Sequence, residues 1–361
     1  MTGKTLKPFH GTYLPSDIQF LLEPVEIEMT SVEEKERLIQ SGQKHYSDML
    51  SQEPAPTPAH LELFGKALDV GAGRMAREVI ALAKGLTEQV QARPVILVSL
   101  VRAGVPLGVM LQRAITDMGH LSFHYGISII RDRGIDTEAL AVIEARHGTD
   151  GIVFVDGWTG KGTITGQLTE SLKNRPGYPE MPRLAVLADP AGCAWIAASD
   201  NDWLIPFGIM GAPVSGMVSR SIWTETGFHG CVFCEHLREY ECSTLLVDTV
   251  DQFRKQINVG TVPAALPFST QCHNQSGISQ KVIQKLAEKF HIANINRIKP
   301  GIAEATRAVL RRVPDHVLVS NKADHDVSLL LYLAEQKGIT VEEVGDTIGF
   351  YRAVTIIKKV A

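Results

Sequence analysis

From Pro94 onward, short runs of valine, isoleucine and leucine alternate with segments of helical character. In chain order the runs are PVILVSLV, FHYGISII, GIVFVDG and RLAVLAD. Strands as apolar as these are buried on both faces, as happens when a sheet is parallel and helices cover both of its sides. The pattern therefore predicts an α/β fold with a doubly wound parallel sheet over roughly residues 94–222.

The rest of the chain is predicted to divide around this sheet. Residues 1–60 are expected to form an extension with a helix over 31–50, because Ser31 and Glu34 have capping-box spacing. Residues 61–242 are expected to form the main domain, starting with a helix from about His60 to Ala67. The two remaining parts are a connector with a short strand STLLVDTV and a small α/β domain, residues 243–277 and 278–361.

The composition indicates where in the cell the protein is expected and in which redox state its cysteines are. The 361 residues are 44% hydrophobic and 21% charged, as in globular proteins of more than one domain. No apolar run approaches the roughly 18 residues that cross a bilayer, and the first residues, MTGKTLKPFHGTYLPSD, show neither the apolar segment nor the small-residue cleavage site of a signal peptide. We expect a cytoplasmic protein with no membrane partner and five free thiols. A homodimer is left open.

A glycine-rich turn follows the third apolar run and leads into a helix at about Thr163. Its glycines allow backbone N–H groups to approach phosphate oxygens, and the helix N-terminus adds a favourable dipole. Asp156, at the end of the strand, can accept hydrogen bonds from ribose hydroxyls. A purely structural turn remains the alternative. The predicted ribose-phosphate site comprises Asp156, Gly157, Trp158, Thr159, Gly160, Lys161, Gly162 and Thr163.

A second turn of the same kind follows the first apolar run, with Pro106 at the start of the next helix. Turns that follow two strands of one parallel sheet meet at its carboxyl edge, where α/β proteins bind their ligands. The two turns are therefore predicted to contact one ligand. The second turn comprises Val101, Arg102, Ala103 and Gly104.

These turns resemble the type I phosphoribosyltransferases, whose diphosphate signature is similar to DGWTGKGT and whose pyrophosphate loop is similar to VRAG. The resemblance implies a cis peptide at Val101–Arg102. It also implies a mobile catalytic loop over residues 129–140, in which Arg131 and Arg133 close over the diphosphate; the alternative is that both arginines are solvated turn charges. The family signature has two adjacent acids, whereas Asp156 stands alone here.

The reaction implied by this resemblance displaces pyrophosphate from C1 of ribose through an oxocarbenium-like state. Phosphoribosyl diphosphate would bring Mg²⁺ with it, and the protein alone would hold no metal. Asp156 would act on the ribose hydroxyls. By its position after the fourth strand, Trp203 is predicted to stack on the base, with a core position as the alternative.

A cysteine cluster, FHGCVFCEHLREYEC, follows the predicted sheet. Cys231 and Cys234 form a C-x-x-C pair between His229 and His236, a spacing that can bind zinc. A structural thiol cluster is favoured over zinc. For nucleophilic catalysis a thiolate needs a nearby imidazole, and Cys231 with His229 or His236 is the preferred dyad.

Four motifs give a second resemblance, which covers about residues 10–240. They are GTYLPSD, IQSGQKHYSDML, DGWTGKG and VSGMVSRSIW, and they resemble the StiP family. That family is labelled cysteine protease, its main domain is described as phosphoribosyltransferase-like, and it is associated with tellurite-resistance and stress operons. The chain is thus interpreted as a phosphoribosyltransferase, with a thiol protease and a non-catalytic ribose-phosphate or RNA binder as alternatives.

Residues 297–361 resemble the Pelota-type RNA-binding fold, through PGIAEATRAVLRR, the segment from HVLVSNK to VEEVG, and RAVTIIKK. The resemblance implies structured RNA as a partner. Gly301, Glu304 and Arg307 match its spacing of glycine, acid and base, and Arg311 would supply further charge to phosphates. The alternative is that a basic helix end complements its own dipole.

Overall fold

The N-terminal segment wraps one edge of the main sheet. The structure, a computed structural model, describes residues 8–90, 94–267 and 270–359, without the side chains of 270–273. Strands β1 (Gln19–Phe20) and β2 (Glu23–Pro24) precede helix α1 (Val32–Gln40). The Ser31 hydroxyl accepts from Glu34 N at 3.1 Å, as the capping box predicts. The helix ends ten residues earlier than predicted, because Ser41 and Gly42 close it with turn hydrogen bonds.

Helix α2 (Pro58–Val90) is much longer than the predicted helix that ended at Ala67. The glycines of α2 do not end the helix. They lie where neighbouring segments pack closely against it. A Cβ on Gly85 would lie 2.3 Å from Ala265 O, and a Cβ on Gly71 would lie 3.2 Å from the Pro206 ring. The absence of side chains at these positions lets neighbouring backbone approach the helix directly.

The main sheet is parallel, as predicted, with the strand order β1-β4-β3-β6-β7-β8 and the short β5 antiparallel to β4. Every residue of β3, β6 and β7 is buried, which explains their nearly continuous apolar runs. Its remaining strands are β3 (Val95–Val101), β4 (Ser122–Ile130), β5 (Gly134–Ile135), β6 (Ile152–Trp158), β7 (Leu184–Ala188) and β8 (Ile196–Ser199).

Helices cover both faces of this sheet. On one face α2 and α3 share a hydrophobic cluster with the inner residues of β3 and β6. On the other face α4 and α5 pack against the opposite side chains of the same strands. The helices are α3 (Val105–Asp117), α4 (Thr137–His147) and α5 (Thr163–Leu172).

The predicted strand STLLVDTV is wrong, since this segment lies in helix α6 (Ser243–Gln256). Leu246, Val247 and Val250 are fully buried, at helical spacing, in the cluster that includes α2. Tertiary packing thus overrides the β-branched residues' preference for strands. Before α6, strand β9 (Gly230–Cys231) pairs with β2. The division of the chain at 61, 243 and 278 stays a prediction.

The C-terminal part is a second, smaller α/β unit, as predicted. Its sheet has the order β10-β13-β11-β12, in which β13 is antiparallel to both neighbours and β11 is parallel to β12. Its elements are α7 (Thr270–Lys289), β10 (Ile298–Pro300), α8 (Ile302–Arg311), β11 (Pro314–Val319), α9 (Ser328–Gln336), β12 (Thr340–Glu343) and β13 (Ala353–Ile357).

The small unit sits on the carboxyl edge of the main sheet. Asp202 of the main unit accepts from Ile302 N at 2.9 and 3.1 Å and from Arg352 N at 2.9 Å. The Tyr351 hydroxyl donates to Gly160 O at 2.8 Å. Residues of both units belong to one hydrophobic cluster. Across the described ranges, no helix combines the length and apolarity needed to cross a membrane.

Candidate functional site

The two glycine-containing turns contact each other at one edge of the sheet. Strands β3 and β6 are parallel neighbours, so both turns leave from the same end. A Cβ on Gly104 would lie 2.0 Å from Val155 O, and one on Gly157 would lie 3.0 Å from Ala103 O. The Val101–Arg102 peptide bond is cis, as the resemblance implied. The predicted convergence of the turns is therefore present.

A cleft of about 380 Å³ opens above these turns and is closed from the other side by the C-terminal unit. This volume lies within the range of small-molecule sites. The main unit lines it with Arg102, Ala103, Arg131, Asp156, Trp158, Thr159, Gly160, Lys161, Gly162, Thr163 and Arg220. The C-terminal unit adds Lys299, Pro300, Glu304, Arg307, Arg311 and Arg312.

Cations dominate this cleft. Burial lowers the pKa of Lys161 to about 7, with the charge of Lys299 adding to the effect. Burial likewise lowers the pKa of Lys299 to about 8 and that of Arg307 to about 10. Burial opposes the charge of these three cations by more than the negative charge of Glu304, which raises all three pKa values, offsets. The cleft thus favours an anionic ligand.

Several guanidinium donors in the cleft have no partner. Arg102 Nε, Arg220 Nη1 and Arg307 Nε are buried without a hydrogen bond, and Arg102 is only 7% exposed. Arg102 Nη2 is occupied, since it donates to Glu53 Oε2 at 2.5 Å. Burial opposes the ionisation of Glu53, but Arg102 and Arg311 outweigh it and lower its pKa to about 2. Unpaired buried donors fit the oxygens of a phosphate.

Asp156 is a buried acid in this cleft of cations, and its pKa is raised where theirs are lowered. Burial raises the pKa of its carboxyl group to about 7, although the Gly157 N–H donates to Oδ1 at 2.8 Å. Arg307 lowers this pKa and Glu304 raises it. The carboxyl group lies at the end of β6 and faces the cleft, as the sequence predicts. It is poised to titrate near neutral pH.

The glycine-rich turn is held by neighbours on both sides. Gly162 has a left-handed φ of 78° and precedes α5, and Lys161 Nζ donates to Ile298 O at 2.9 Å. Thr159 lines the cleft, but its hydroxyl donates to Asp189 and its N–H donates to Ala188 O at 3.0 Å. The Thr159 hydroxyl hydrogen is therefore committed to Asp189 rather than to a ligand in the cleft.

The two arginines of the predicted catalytic loop, Arg131 and Arg133, have different surroundings. Arg131 lines the cleft, with its guanidinium 5.0 Å from the centre of the Tyr46 ring. Arg133 does not line it. Its guanidinium bonds to Asp48 and lies 4.8 Å from the Trp223 ring centre. Only Arg131 has a position from which it can contact a ligand of the cleft.

Trp203 is a core residue, so its predicted base-side position is wrong. It is 4% exposed, lies under the Arg74 guanidinium at 4.3 Å, and packs near Gly71 of α2. Trp158 is the tryptophan that lines the cleft. The Arg307 guanidinium lies 5.0 Å from its ring centre.

The residues predicted to bind RNA face the main unit. Glu304, Arg307 and Arg311 line the cleft, and Gly301 lies beside Asp202 at the start of α8. Glu304 Cγ lies 3.2 Å from where a Cβ on Gly160 would be, and Arg311 Nη2 lies 3.7 Å from Glu53 Oε2. RNA binding by these residues stays a prediction.

The preferred thiol dyad is not assembled. Cys231 is 1% exposed, and burial raises its pKa to about 12. His229 Nδ1 hydrogen-bonds instead with Ser128 Oγ at 2.7 Å, and the backbone N–H of His229 donates to the Asp136 carboxylate. A thiol in this setting is protonated at neutral pH.

Two other cysteines lie nearer the cleft. Cys234 and His236 line a cavity of about 60 Å³ together with Glu53, Arg102 and Arg311. Burial raises the pKa of Cys234 to about 11, against the effect of Arg102.

Cys193, which sequence reasoning missed, lies beside the glycine-rich turn. Its Sγ is 3.4 Å from Thr165 Oγ1 and 3.5 Å from where a Cβ on Gly162 would be. The cysteines with described side chains are free thiols, as expected. No group of three metal-ligating side chains that could hold an ion occurs in the described part of the chain. The fifth cysteine, Cys272, lies outside the described side chains.

Comparison with known proteins places this architecture in a family. The family model "Tellurite-like stress resistance cysteine protease StiP" matches residues 11–251, which is more than half of the chain. The chain belongs to the StiP family. A curated StiP relative, "Cysteine protease StiP" of Acinetobacter baylyi (strain ATCC 33305 / BD413 / ADP1), is 50% identical over 365 residues, covering 97% of this chain and 94% of that protein.

The StiP match confirms the resemblance seen in the four sequence motifs. A second family model, "PELOTA RNA binding domain", matches residues 277–359, which confirms the resemblance of the C-terminal unit. No solved structure matches the chain. The family is described as a cysteine protease, and the cleft between the two matched regions is the candidate for an active site.

Proposed function

We propose that this StiP-family protein binds phosphoribosyl diphosphate or a related ribose phosphate in the cleft and performs phosphoribosyltransferase-type chemistry. The observation that carries the proposal is the set of unpaired, buried guanidinium donors, which face two touching turns. The turns offer backbone N–H groups to phosphate oxygens, and Asp156 offers an acceptor to a ribose hydroxyl.

In this proposal the cations hold the leaving diphosphate. Arg102 follows β3, Lys161 lies in the glycine-rich turn, and Arg307 reaches across from α8, so a diphosphate would be contacted from three sides. Fixed cations stabilise the charge that develops on a departing pyrophosphate. Asp156 orients the ribose so that C1 faces the remaining space.

Mg²⁺ fits this site as a companion of the ligand. Asp156 and Glu304 are the carboxylates that line the cleft in the described part of the chain. Two carboxylates together with phosphate oxygens are the kind of ligand set that Mg²⁺ takes. When bound, the ion would neutralise diphosphate charge. The protein alone would hold no metal and would receive Mg²⁺ together with its substrate.

A thermal-shift series tests the proposal. Phosphoribosyl diphosphate with Mg²⁺, at about a hundred times its dissociation constant, should stabilise the protein by roughly 2.7 kcal/mol. Asp156→Ala should lose most of this stabilisation, whereas Asp69→Ala, on the exposed side of α2, should keep it. No stabilisation by any ribose phosphate would reject the proposal. Release of pyrophosphate when a base is added then identifies a transferase.

The second candidate is a thiol peptidase, which the family description and the relative's name support. The thiol with the most suitable surroundings is Cys234, because it shares a cavity with His236 and with the Arg102 cation. Its raised pKa means that a substrate would have to bring the imidazole to the thiol before attack. Cys193, beside the glycine-rich turn, is the next candidate.

Serine substitutions separate these cases. Hydrolysis of an unfolded protein substrate should disappear in Cys234→Ser and persist in Cys242→Ser, whose thiol is buried in the core under α6. Cys193→Ser, Cys231→Ser and Cys272→Ser complete the series. Hydrolysis that survives all the substitutions would exclude a cysteine nucleophile, and hydrolysis lost only in Cys193→Ser would move the nucleophile to the turn.

Structured RNA remains a proposed partner of the C-terminal unit, on the basis of its family match. Fluorescence anisotropy with a labelled kink-turn RNA, with and without ribose phosphate, tests it. Competition between the two ligands is expected if RNA uses Arg307 and Arg311, which line the cleft. Light scattering would test the homodimer, and cell fractionation the cytoplasmic location.

A further inference from the structure

The carboxylate of Glu304 enters the main unit's site from the other unit. It lies in the first turn of α8, whose N-terminus is fixed on Asp202 by hydrogen bonds of 2.9 and 3.1 Å. Its Cγ is 3.2 Å from where a Cβ on Gly160 would be. Its charge raises the pKa of Asp156. The two acids therefore face the same part of the cleft.

Asp156 alone is a limited acceptor for a sugar. Its Oδ1 already receives the Gly157 N–H at 2.8 Å, and this leaves mainly Oδ2 for a ligand. The neighbouring C2 and C3 hydroxyls of ribose present two donors, and each needs an acceptor once it leaves water. A second carboxylate in the cleft would let each hydroxyl donate to its own acceptor.

Glu304 is free to supply it. Its carboxylate makes no hydrogen bond and no ion pair with any other residue that the structure describes. The arginine one turn later, Arg307, is directed over the Trp158 ring rather than at Glu304. The carboxylate is half-buried between α8 and the glycine-rich turn.

We propose that Glu304 is the second acceptor for the ribose hydroxyls, so that sugar recognition is completed by the C-terminal unit. This inference rests on the proposed ribose-phosphate function. The sugar then lies between Asp156 and Glu304, and its phosphate lies on the glycine-rich turn. Specificity for ribose is set across the boundary of the two units, whereas phosphate affinity comes from cations on both sides.

Calorimetry on the full chain tests this assignment with two probes, inorganic phosphate and ribose 5-phosphate. The ratio of their dissociation constants isolates the sugar. Glu304→Gln should lower the preference for ribose 5-phosphate by about tenfold, the effect of losing a charge-assisted hydrogen bond. Phosphate binding should stay equal or become slightly tighter, because a negative charge leaves a cationic cleft. Glu335→Gln, on the exposed end of α9, is the matched control.

The outcomes are separable. If the wild-type protein prefers ribose 5-phosphate and Glu304→Gln keeps the same ratio of dissociation constants, the role of Glu304 is overturned and the proposed function stands. A wild-type protein that does not prefer ribose 5-phosphate to phosphate overturns both. If Glu304→Gln folds poorly, Glu304→Asp replaces it: the shorter carboxylate should keep the charge, restore folding and recover only part of the preference. Full preference with Asp overturns the assignment.

Discussion

Replacing Asp156 with asparagine should stabilise the protein and weaken ligand binding at the same time. The Asp156 carboxyl group is 9% exposed, and burial raises its pKa from 3.8 to about 7. Asparagine has nearly the same shape and keeps an oxygen that can accept the Gly157 N–H. It removes the ionisation and replaces the second carboxylate oxygen, the one left for a ligand, with an NH2 donor.

The sign and size follow from proton linkage. The folded protein holds the Asp156 proton more tightly than the unfolded chain, so this group lowers the stability as pH rises from about 4 to about 7 and has a constant effect above that. A shift of about three pKa units at about 1.4 kcal/mol each makes the full effect about 4 kcal/mol. The advantage of Asp156→Asn should therefore grow by about this amount between pH 4 and pH 8.

Urea unfolding of both proteins at pH 4, 5, 6, 7 and 8 measures this difference. Burial also raises the pKa of Asp202, to about 6. Because Asp202 titrates in both proteins, its contribution cancels in the difference between their unfolding free energies. A constant difference across the series, or a variant that becomes relatively less stable as pH rises, would refute a buried, destabilised Asp156 carboxylate. Weaker binding of ribose 5-phosphate to the more stable variant would then mark Asp156 as a residue kept for function.

Three further outcomes follow from the same geometry. Burial lowers the pKa of Lys161 to about 7, so sulfate, which does not titrate in this range, should bind at least about tenfold more weakly at pH 9 than at pH 6. Lys161→Met should reduce this pH dependence in calorimetry without abolishing it, because Asp156 and Lys299 titrate in the same range. Gly104→Ala would place its Cβ 2.0 Å from Val155 O, and should lower the urea unfolding free energy by at least about 2 kcal/mol. Trp203→Ala should lower it by about 3 to 5 kcal/mol without changing the preference for ribose 5-phosphate over phosphate, because this side chain packs away from the cleft.

The sheet and the meeting of its two turns were predictable because both depend on local pattern. A strand such as β3, buried on both faces, is apolar except at Ser99, whose hydroxyl is hydrogen-bonded, and parallel strands place their following turns at one edge. The same logic located Asp156 correctly. It also located Arg102, whose turn touches the turn of Asp156.

The failures come from contacts between distant parts of the chain. Arg133 has a carboxylate partner 85 positions earlier, Asp48, and no local signal separates it from Arg131. Trp203 packs under Arg74 of a helix whose length was itself underestimated. Segment STLLVDTV became helical because α2 offers an apolar surface for one of its faces. Each of these outcomes depends on tertiary partners that periodicity does not reveal.

The docking of the two units is the least predictable feature and the most consequential one. Asp202 meets Ile302 N across 100 positions of sequence, and this contact aims the first turn of α8 at the glycine-rich turn. Cations from both units are then buried in one cleft with their pKa lowered, which is unfavourable until an anion neutralises them. An anion in the cleft is bound by both units at once. Ligand should therefore raise the unfolding midpoints of the two units together, and a ligand that stabilised only one of them would contradict a shared site.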